Sequence, residues 1–155
     1  MDFDMRIIFF SLLVLSFCAS ANNIQPSSQY SPEEVIDIIF SALKNNDQPI
    51  TDSGIEQTFM FASPLNKKNT GPLSRFKKMV KQPIYATIID HRSVEKGPIK
   101  VISNRATIPL IVTSLTGELS GFLWVLSKQT TTPYKDVWMT DSVQRVELNQ
   151  NLNAM

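Results

Sequence analysis

Residues 118–128, ELSGFLWVLSK, decide how the rest of this chain must fold. Within them, residues 122–126 are apolar without interruption, so a strand here has two apolar faces. A strand that needs cover on both faces is typical of the middle of a sheet. Strand-like segments flank it at residues 99–113 and 134–148, separated from it by turns that contain Gly or Pro. The sequence therefore predicts an antiparallel meander with residues 122–126 at its centre.

The chain before this meander has a helical pattern. Ser31, Pro32 and Glu34 form the signature of a capping box with proline at the first helical position, and apolar residues follow at helical spacing. Three helices are predicted: one from Ser31 to Asn45, one over residues 55–62 that Ser63-Pro64 ends, and one over residues 72–81 after a polar linker at residues 65–71.

A change of period marks the start of the sheet. Residues 84–94 alternate with a period of two, which predicts a first strand. Pro109 cannot donate to a strand ladder and so marks an edge or a bulge. In a regularly alternating strand the apolar residues Trp138 and Val143 would lie on opposite faces of the sheet. A bulge is therefore predicted between them. The order predicts an α+β fold with three N-terminal helices packed on a curved, antiparallel, four-stranded sheet.

Composition excludes several classes of function. The chain has 155 residues, 43% of them hydrophobic, and a net charge of +1, which suits one globular domain without a strong field for nucleic acid. Its single histidine and single cysteine make a transition-metal site unexpected. It contains no Gly-rich phosphate loop and no G-x-S-x-G motif, so we expect no cofactor.

The N-terminal apolar run predicts export. Residues 7–19 are too few to span a bilayer, which needs roughly 20, but they suit a signal peptide. Small residues at 19–21 predict cleavage after Ala21. Asp2 and Asp4 offset Arg6 in the leading region, and translation from Met5 would restore its positive charge. We therefore expect a periplasmic or secreted protein.

Cys18 leaves an alternative open. Residues 15–18 resemble a lipobox, but Phe17 stands where a small residue is usual, so lipid attachment through Cys18 is the weaker interpretation. The predicted organisation is a signal peptide at 1–21, a flexible lead-in at 22–30, an α+β domain at 31–148 and a frayed tail at 149–155.

Several motifs within residues 31–148 carry a family resemblance: residues 59–64, 70–76, 83–85 and 138–143. With the order of elements, they resemble the family catalogued as domain of unknown function 4864. That family resembles the nuclear-transport-factor-2-like superfamily, whose curved sheet and helices form a cone with a pocket at its open end. The resemblance implies the fold, a possible pocket and a possible homodimer formed through the sheet. It implies no reaction and no catalytic residue.

Three residues are candidates for acid–base chemistry. Asp141 lies between apolar groups of the last strand, where burial would raise the pKa of a carboxylate. His91 titrates near neutral pH, but it and neighbouring Asp90 point to opposite faces of a strand, so only one can face a pocket. Tyr85 or Tyr134 would serve as the donor. The competing interpretations place Asp90 and His91 near solvent, and Asp141 at a bulge, bonded to backbone N–H groups or paired with Arg105 or Arg145.

Aromatic and cationic residues are candidates for binding. An apolar ligand would meet aromatic side chains of the sheet, and a ligand carboxylate would meet an arginine, although plain core and solvent-face roles compete. A basic segment without acidic residues has two interpretations: it makes weak contact with anionic membranes, or it is simply the solvent-facing side of a helix. The pocket candidates are Trp124, Trp138, Phe122, Tyr85, Tyr134 and Arg105, and the basic segment is Lys67, Lys68, Arg75, Lys77, Lys78 and Lys81.

Two functional hypotheses follow from these residues. The first is an exported, non-catalytic domain that binds a small apolar or amphipathic ligand or a partner protein. The alternative is a cofactor-free lyase or isomerase that uses a pocket carboxylate or histidine as general base.

Overall fold

The computed structural model describes residues 23–148, so the predictions for the signal peptide, for Cys18 and for the tail at 149–155 lie outside the described residues. Within that range the fold is α+β, with four α-helices before an open antiparallel sheet of five strands. The elements are α1 (Pro32–Lys44), α2 (Ser53–Met60), α3 (Pro64–Thr70), α4 (Leu73–Val80), a 3-10 turn (Ala86–Ile88), β1 (Ser93–Lys96), β2 (Lys100–Ile102), β3 (Arg105–Thr113), β4 (Leu119–Lys128) and β5 (Trp138–Val146).

Helix α1 begins as its sequence predicts. The Ser31 hydroxyl accepts a 3.2 Å hydrogen bond from the Glu34 N–H, and the Glu34 carboxylate accepts a 2.8 Å bond from the Ser31 N–H. Pro32 occupies the first turn. The Ser31 backbone and side-chain hydrogen bonds lower the pKa of Glu34. This capping box satisfies donors that the helix itself leaves open.

The prediction of a linker at residues 65–71 is wrong, because α3 occupies most of it. Ser63 caps α3 by accepting a 3.2 Å bond from the Asn66 N–H, and Pro64 takes the first turn. Ser-Pro therefore starts this helix as it starts α1. The helix escaped detection because it lacks an apolar stripe: Leu65 is exposed and Asn66 is buried.

The strand predicted over residues 84–94 is also wrong for most of its length. The Ile88 N–H bonds to the Tyr85 carbonyl at 3.0 Å, and the Asp90 N–H bonds to the Leu43 carbonyl at 2.8 Å. Asp90 has a φ of +47°. Local turns and helix α1 therefore take the backbone groups that a strand would have paired.

The predicted strand at residues 99–113 is a hairpin. Its turn includes Ser103, at a φ of +55°, and separates β2 from β3. Ile102 is consequently exposed, although alternation continued from the buried Ala106, Ile108 and Leu110 predicts a buried side chain at this position. Pro109 lies opposite the break between strands β1 and β2, which follow one another along the same side of β3. Its carbonyl accepts a 2.8 Å bond from the Gly97 N–H. The edge position predicted for Pro109 is therefore wrong: β3 has β4 on one side and β1 and β2 on the other, and Pro109 lies where that second pairing is interrupted.

The sheet has the order β1-β3-β4-β5, with β2 also on β3, so the central position of β4 is confirmed. One face, here called the inner face, pairs Ile108 with Trp124 and Leu110 with Phe122. These side chains form one core with buried residues of α1, α2 and α4. The opposite, outer face pairs Pro109 with Leu123.

The predicted bulge in the last strand is confirmed. Val125 pairs with Ser142 and Leu126 pairs with Thr140, so Asp141 is the additional residue of β5. The bulge redirects the backbone of β5 at this point, beside an apolar cavity between the helices and the sheet.

Candidate functional site

An apolar cavity of about 240 Å³ lies between helices α2–α4, the 3-10 turn and the inner face of β4 and β5. Its walls combine the buried sheet tryptophan with the apolar side of α4 and one β-branched residue of β5. The apolar wall residues are Ala62, Phe76, Met79, Val80, Ile88, Trp124 and Val143, and the polar ones are Thr58, Asn66, Asn69, Thr70, Tyr85, Thr140, Asp141 and Ser142.

The cavity floor is held by Thr140. Its hydroxyl accepts a 2.9 Å bond from the indole N–H of Trp124. Its backbone N–H donates to the Phe61 carbonyl at 2.8 Å, and its carbonyl accepts from the Ser63 N–H at 2.9 Å. These bonds join β5 to the junction of α2 and α3. Because the polar atoms of Thr140 are already hydrogen-bonded, this part of the cavity wall behaves as an apolar surface towards a ligand.

Two further polar wall residues bond within the protein. The Asn66 side-chain amide donates to the Thr140 carbonyl at 3.0 Å, and its Oδ1 lies 3.0 Å from the Thr70 hydroxyl. The Thr58 hydroxyl donates to the Gly54 carbonyl at 2.8 Å. A ligand that bonded to these atoms would have to displace existing bonds, so they favour apolar contents.

Tyr85 lies at the cavity wall with a poorly engaged hydroxyl. That hydroxyl is 3.4 Å from the Val143 carbonyl oxygen. Hydrogen bonds between oxygens are usually 2.5–3.0 Å long, so this contact is weak. The structure thus brings together three of the residues predicted for a site: Tyr85, Trp124 and Asp141.

Asp141 borders the cavity, but its carboxylate is engaged elsewhere. Oδ1 accepts a 2.9 Å bond from the Ser127 hydroxyl. The register pairs Ser127 with Arg105, on the outer face of the sheet. The predicted ion pairs of Asp141 are not formed: Arg145 lies 3.5 Å from Glu118 instead. The bulge therefore places residue 141 at the cavity while its carboxylate bonds to an outer-face serine.

His91 is buried in the core, so the interpretation that placed it near solvent is wrong. Its Nδ1 lies 3.0 Å from the Ile88 carbonyl, which makes Nδ1 the donor, and its ring meets Phe40 edge-on at 5.4 Å. Burial lowers the pKa of His91, with the charge of Lys44 acting in the same direction, against the Ile88 carbonyl and Asp90. His91 does not line the cavity beside Tyr85.

The other predicted pocket residues lie elsewhere. Phe122 is core, and Trp138 is buried with the Lys128 ammonium 5.4 Å from its ring centre. Tyr134 has the Lys67 ammonium 5.5 Å from its ring centre. Arg105 is exposed on the outer face. None of these four lines the cavity.

Sequence reasoning missed the contribution of α4 and the 3-10 turn to the cavity. Phe76, Met79 and Val80 lie in the helix predicted over residues 72–81, but a helical pattern does not show which space its apolar side faces. Ile88 was assigned to a strand. Only the amphipathic spacing of α4 was available as a signal.

The basic segment is partly neutralised by acids of the neighbouring helix and loop. Lys77 lies 2.6 Å from Glu56, and Lys81 lies 2.8 Å from Asp52. These contacts raise the pKa of Lys77, through its hydrogen bond to Glu56, and lower that of Asp52, through its bond to Lys81. The Lys67 ammonium donates to the Met60 carbonyl at 3.2 Å, and burial lowers its pKa. The exposed cations left for an anionic surface are Lys68, Arg75 and Lys78.

Two kinds of feature are absent from residues 23–148. No group of three or more histidine, cysteine or acidic side chains in that range is arranged to hold a metal ion. The longest helix there has 13 residues, and no helix of the described range has the length and apolar character needed to cross a bilayer.

The class that the fold defines is an α+β domain with an apolar cavity between its helices and its sheet. In comparisons with known proteins, no family model, no curated protein and no solved structure matched this chain. What the cavity can bind follows from its own size and chemistry.

Proposed function

We propose that this chain is an exported, non-catalytic binding domain whose cavity takes a small apolar or amphipathic molecule. One observation carries the proposal: a 240 Å³ cavity with predominantly apolar walls. A dry cavity of roughly 150 Å³ already admits benzene, whereas drug-sized ligands need about 300 Å³ or more. The cavity therefore suits a single ring with a short substituent, or a short chain.

The finer architecture belongs to the same proposal. Helices that share one core with a single face of the sheet, and a cavity between the two layers, support the nuclear-transport-factor-2-like resemblance and its cone. The apolar run at residues 7–19, followed by small residues, supports export.

The positions of the candidate bases support binding over the lyase or isomerase alternative. A general base must lie within hydrogen-bond reach of its substrate. The Asp141 carboxylate is bonded to Ser127, and His91 packs on Phe40 away from the cavity wall. The cavity wall thus contains the Tyr85 hydroxyl and Asp141, whose Oδ1 is already bonded to Ser127.

Filling the cavity tests the proposal. Toluene and p-cresol would be titrated into the purified protein and followed by isothermal titration calorimetry and by methyl NMR signals of Met79, Val80 and Val143. Val143→Phe, which adds volume at the wall, should abolish binding. Val101→Phe, at an exposed position of β2 away from the cavity, is the matched control and should bind as wild type does. Failure of wild-type protein to bind any neutral probe of this size overturns the proposal.

The outer face of the sheet supports the partner-protein half of the hypothesis, with a second copy of this chain as the partner. Ile111, Leu119 and Val146 are 37%, 56% and 39% exposed there, which is unusual for neighbouring apolar residues of a monomer. Glu95 lies beside Ile111 at one end of the face, and Lys100 lies beside Thr107 towards the other. A two-fold axis through the face would place Glu95 of each copy near Lys100 of the other.

Sedimentation velocity over a range of protein concentrations tests this interface. Leu119→Lys should shift the protein towards monomer, while Leu115→Lys, equally exposed but in a turn, should not. A wild-type protein that stays monomeric at high micromolar concentration contradicts the second copy as partner.

A further inference from the structure

The polar atoms of the cavity wall differ in how well they are hydrogen-bonded within the protein. This difference indicates the chemistry of the ligand. The Thr140 hydroxyl, the Asn66 amide and the Thr58 hydroxyl all have partners at 2.8–3.0 Å. The Tyr85 hydroxyl has only the 3.4 Å contact with the Val143 carbonyl among the described residues. The Tyr85–Val143 gap is therefore where a ligand gains hydrogen bonds with the least loss of existing ones.

The Val143 carbonyl is available because of its place in an edge strand. β5 pairs only with β4 in the described sheet, so every second backbone group of β5 points away from the ladder. Thr140 and Val143 pair with Leu126 and Trp124, two residues apart in β4, and so their backbones point the same way. At Thr140 this open side is filled by Phe61 and Ser63. At Val143 it faces Tyr85.

A hydroxyl group fits the gap between these two oxygens. Its oxygen can accept the Tyr85 proton while its own proton goes to the Val143 carbonyl. An oxygen placed about 2.7 Å from each of two atoms that are 3.4 Å apart forms an ordinary triangle of hydrogen bonds. A ketone can take only the Tyr85 proton, and an alkyl group can take neither bond.

The charges at the cavity wall disfavour anionic ligands. Among the described residues, the cavity wall includes no lysine, arginine or histidine, so a ligand carboxylate would have no counter-charge there. It would also face the Val143 carbonyl and approach Asp141, both of which carry negative charge or partial charge. A neutral ligand avoids the cost of burying an unpaired ion.

Resting on the proposed binding function, we infer that the cavity is a site for neutral, hydroxylated single-ring or short-chain molecules, with the hydroxyl held between the Tyr85 hydroxyl and the Val143 carbonyl. Tyr85 is then the specificity-determining residue. Trp124, Phe76 and Val80 supply the apolar contact that the rest of the ligand needs.

Three probes of similar size separate this inference from the proposed function: toluene, p-cresol and p-toluate, titrated calorimetrically. The two hydrogen bonds should make p-cresol bind about tenfold more tightly than toluene, and p-toluate should bind most weakly. In Tyr85→Phe only the bond to the Val143 carbonyl remains, so the ratio of p-cresol to toluene affinity should fall to about threefold or less. Tyr134→Phe, a half-buried tyrosine away from the cavity, should keep the wild-type ratio.

The outcomes are distinguishable. If toluene and p-cresol bind equally to wild type, or if Tyr85→Phe keeps the wild-type ratio, the hydroxyl site is wrong while the binding function stands. If no neutral probe binds, both proposals are overturned. A ratio is used because it compares two ligands on one protein, so a general loss of folded protein does not change it.

Discussion

The indole N–H of Trp124, on the central strand β4, donates a 2.9 Å hydrogen bond to the hydroxyl of Thr140 on β5, and both residues are buried. The same threonine bonds through its backbone to the α2–α3 junction. One residue thus links the middle of the sheet, its edge and the helices at the floor of the cavity.

Thr140→Val should destabilise the protein, because the isosteric valine leaves the indole N–H buried without an acceptor. A buried donor left unpaired costs about 1–3 kcal/mol. The free energy of unfolding would be measured by urea titration. Thr107→Val, at a half-buried position on the outer face, is the control and should change stability by less than about 0.5 kcal/mol. Equal effects of the two substitutions would contradict the importance of the Trp124 bond.

Ser63→Ala should cost about 1 kcal/mol, because it removes the side-chain acceptor that caps α3. Ser31→Ala should cost a similar amount at α1, where the same Ser-Pro pair begins a helix. Ser41→Ala, exposed in the middle of α1, should be neutral or slightly stabilising since alanine is the better helix former. Chemical denaturation of the three variants provides the comparison, and a neutral Ser63→Ala is the contrary result.

Gly54→Ala should be strongly destabilising, by about 1–3 kcal/mol, because it overpacks a close helix contact. A Cβ at this position would collide with the Ala42 carbonyl and lie 2.9 Å from the Asn46 Cα. The Gly54 N–H also bonds to the Asn46 carbonyl at 3.0 Å, so the backbone cannot move away freely. Thr51→Ala, exposed in the turn before α2, should change the melting temperature little. A thermally unchanged Gly54→Ala would show that α1 and α2 separate easily.

Burial of His91 predicts that stability falls as the pH drops below about 6.5. Its pKa in the folded protein lies below the ordinary value of 6.5, mainly because burial disfavours the charged ring. As the pH falls, the unfolded chain therefore takes up the proton before the folded chain does, and the free energy of unfolding decreases.

The His91→Asn variant isolates this contribution, since the amide can still donate to the Ile88 carbonyl but does not titrate. Urea titrations at several values between pH 7.5 and pH 5 should show a smaller decrease for the variant than for wild type. Identical pH profiles would mean that His91 is protonated equally easily in both states.

Local patterns were sufficient wherever a physical preference acts within a few residues. The continuous apolar run in β4 needs cover on both faces, and that alone predicts its central position. The capping box at Ser31 satisfies its own helix end. The loss of phase between Trp138 and Val143 predicts the bulge because strand side chains alternate strictly.

The same local patterns failed where their meaning depends on distant partners. Ser63-Pro64 serves equally well to end one helix or to begin another, and here it begins α3. The alternation after Pro83 resembles a strand, yet the Leu43 carbonyl of α1 takes the Asp90 N–H. No property of residues 84–94 alone decides between these uses of the backbone.

By itself, the amino-acid sequence determined the α+β class, the central strand, the first helix start and the presence of a bulge, because each follows from short-range sterics and periodicity. Only the tertiary structure decided the site. The cavity joins Tyr85, Trp124 and Val143 from separate elements, and the Asp141 carboxylate is directed by Ser127, 14 residues earlier. Which side chains share a cavity depends on how the packed layers meet, and spacing along the chain does not specify that.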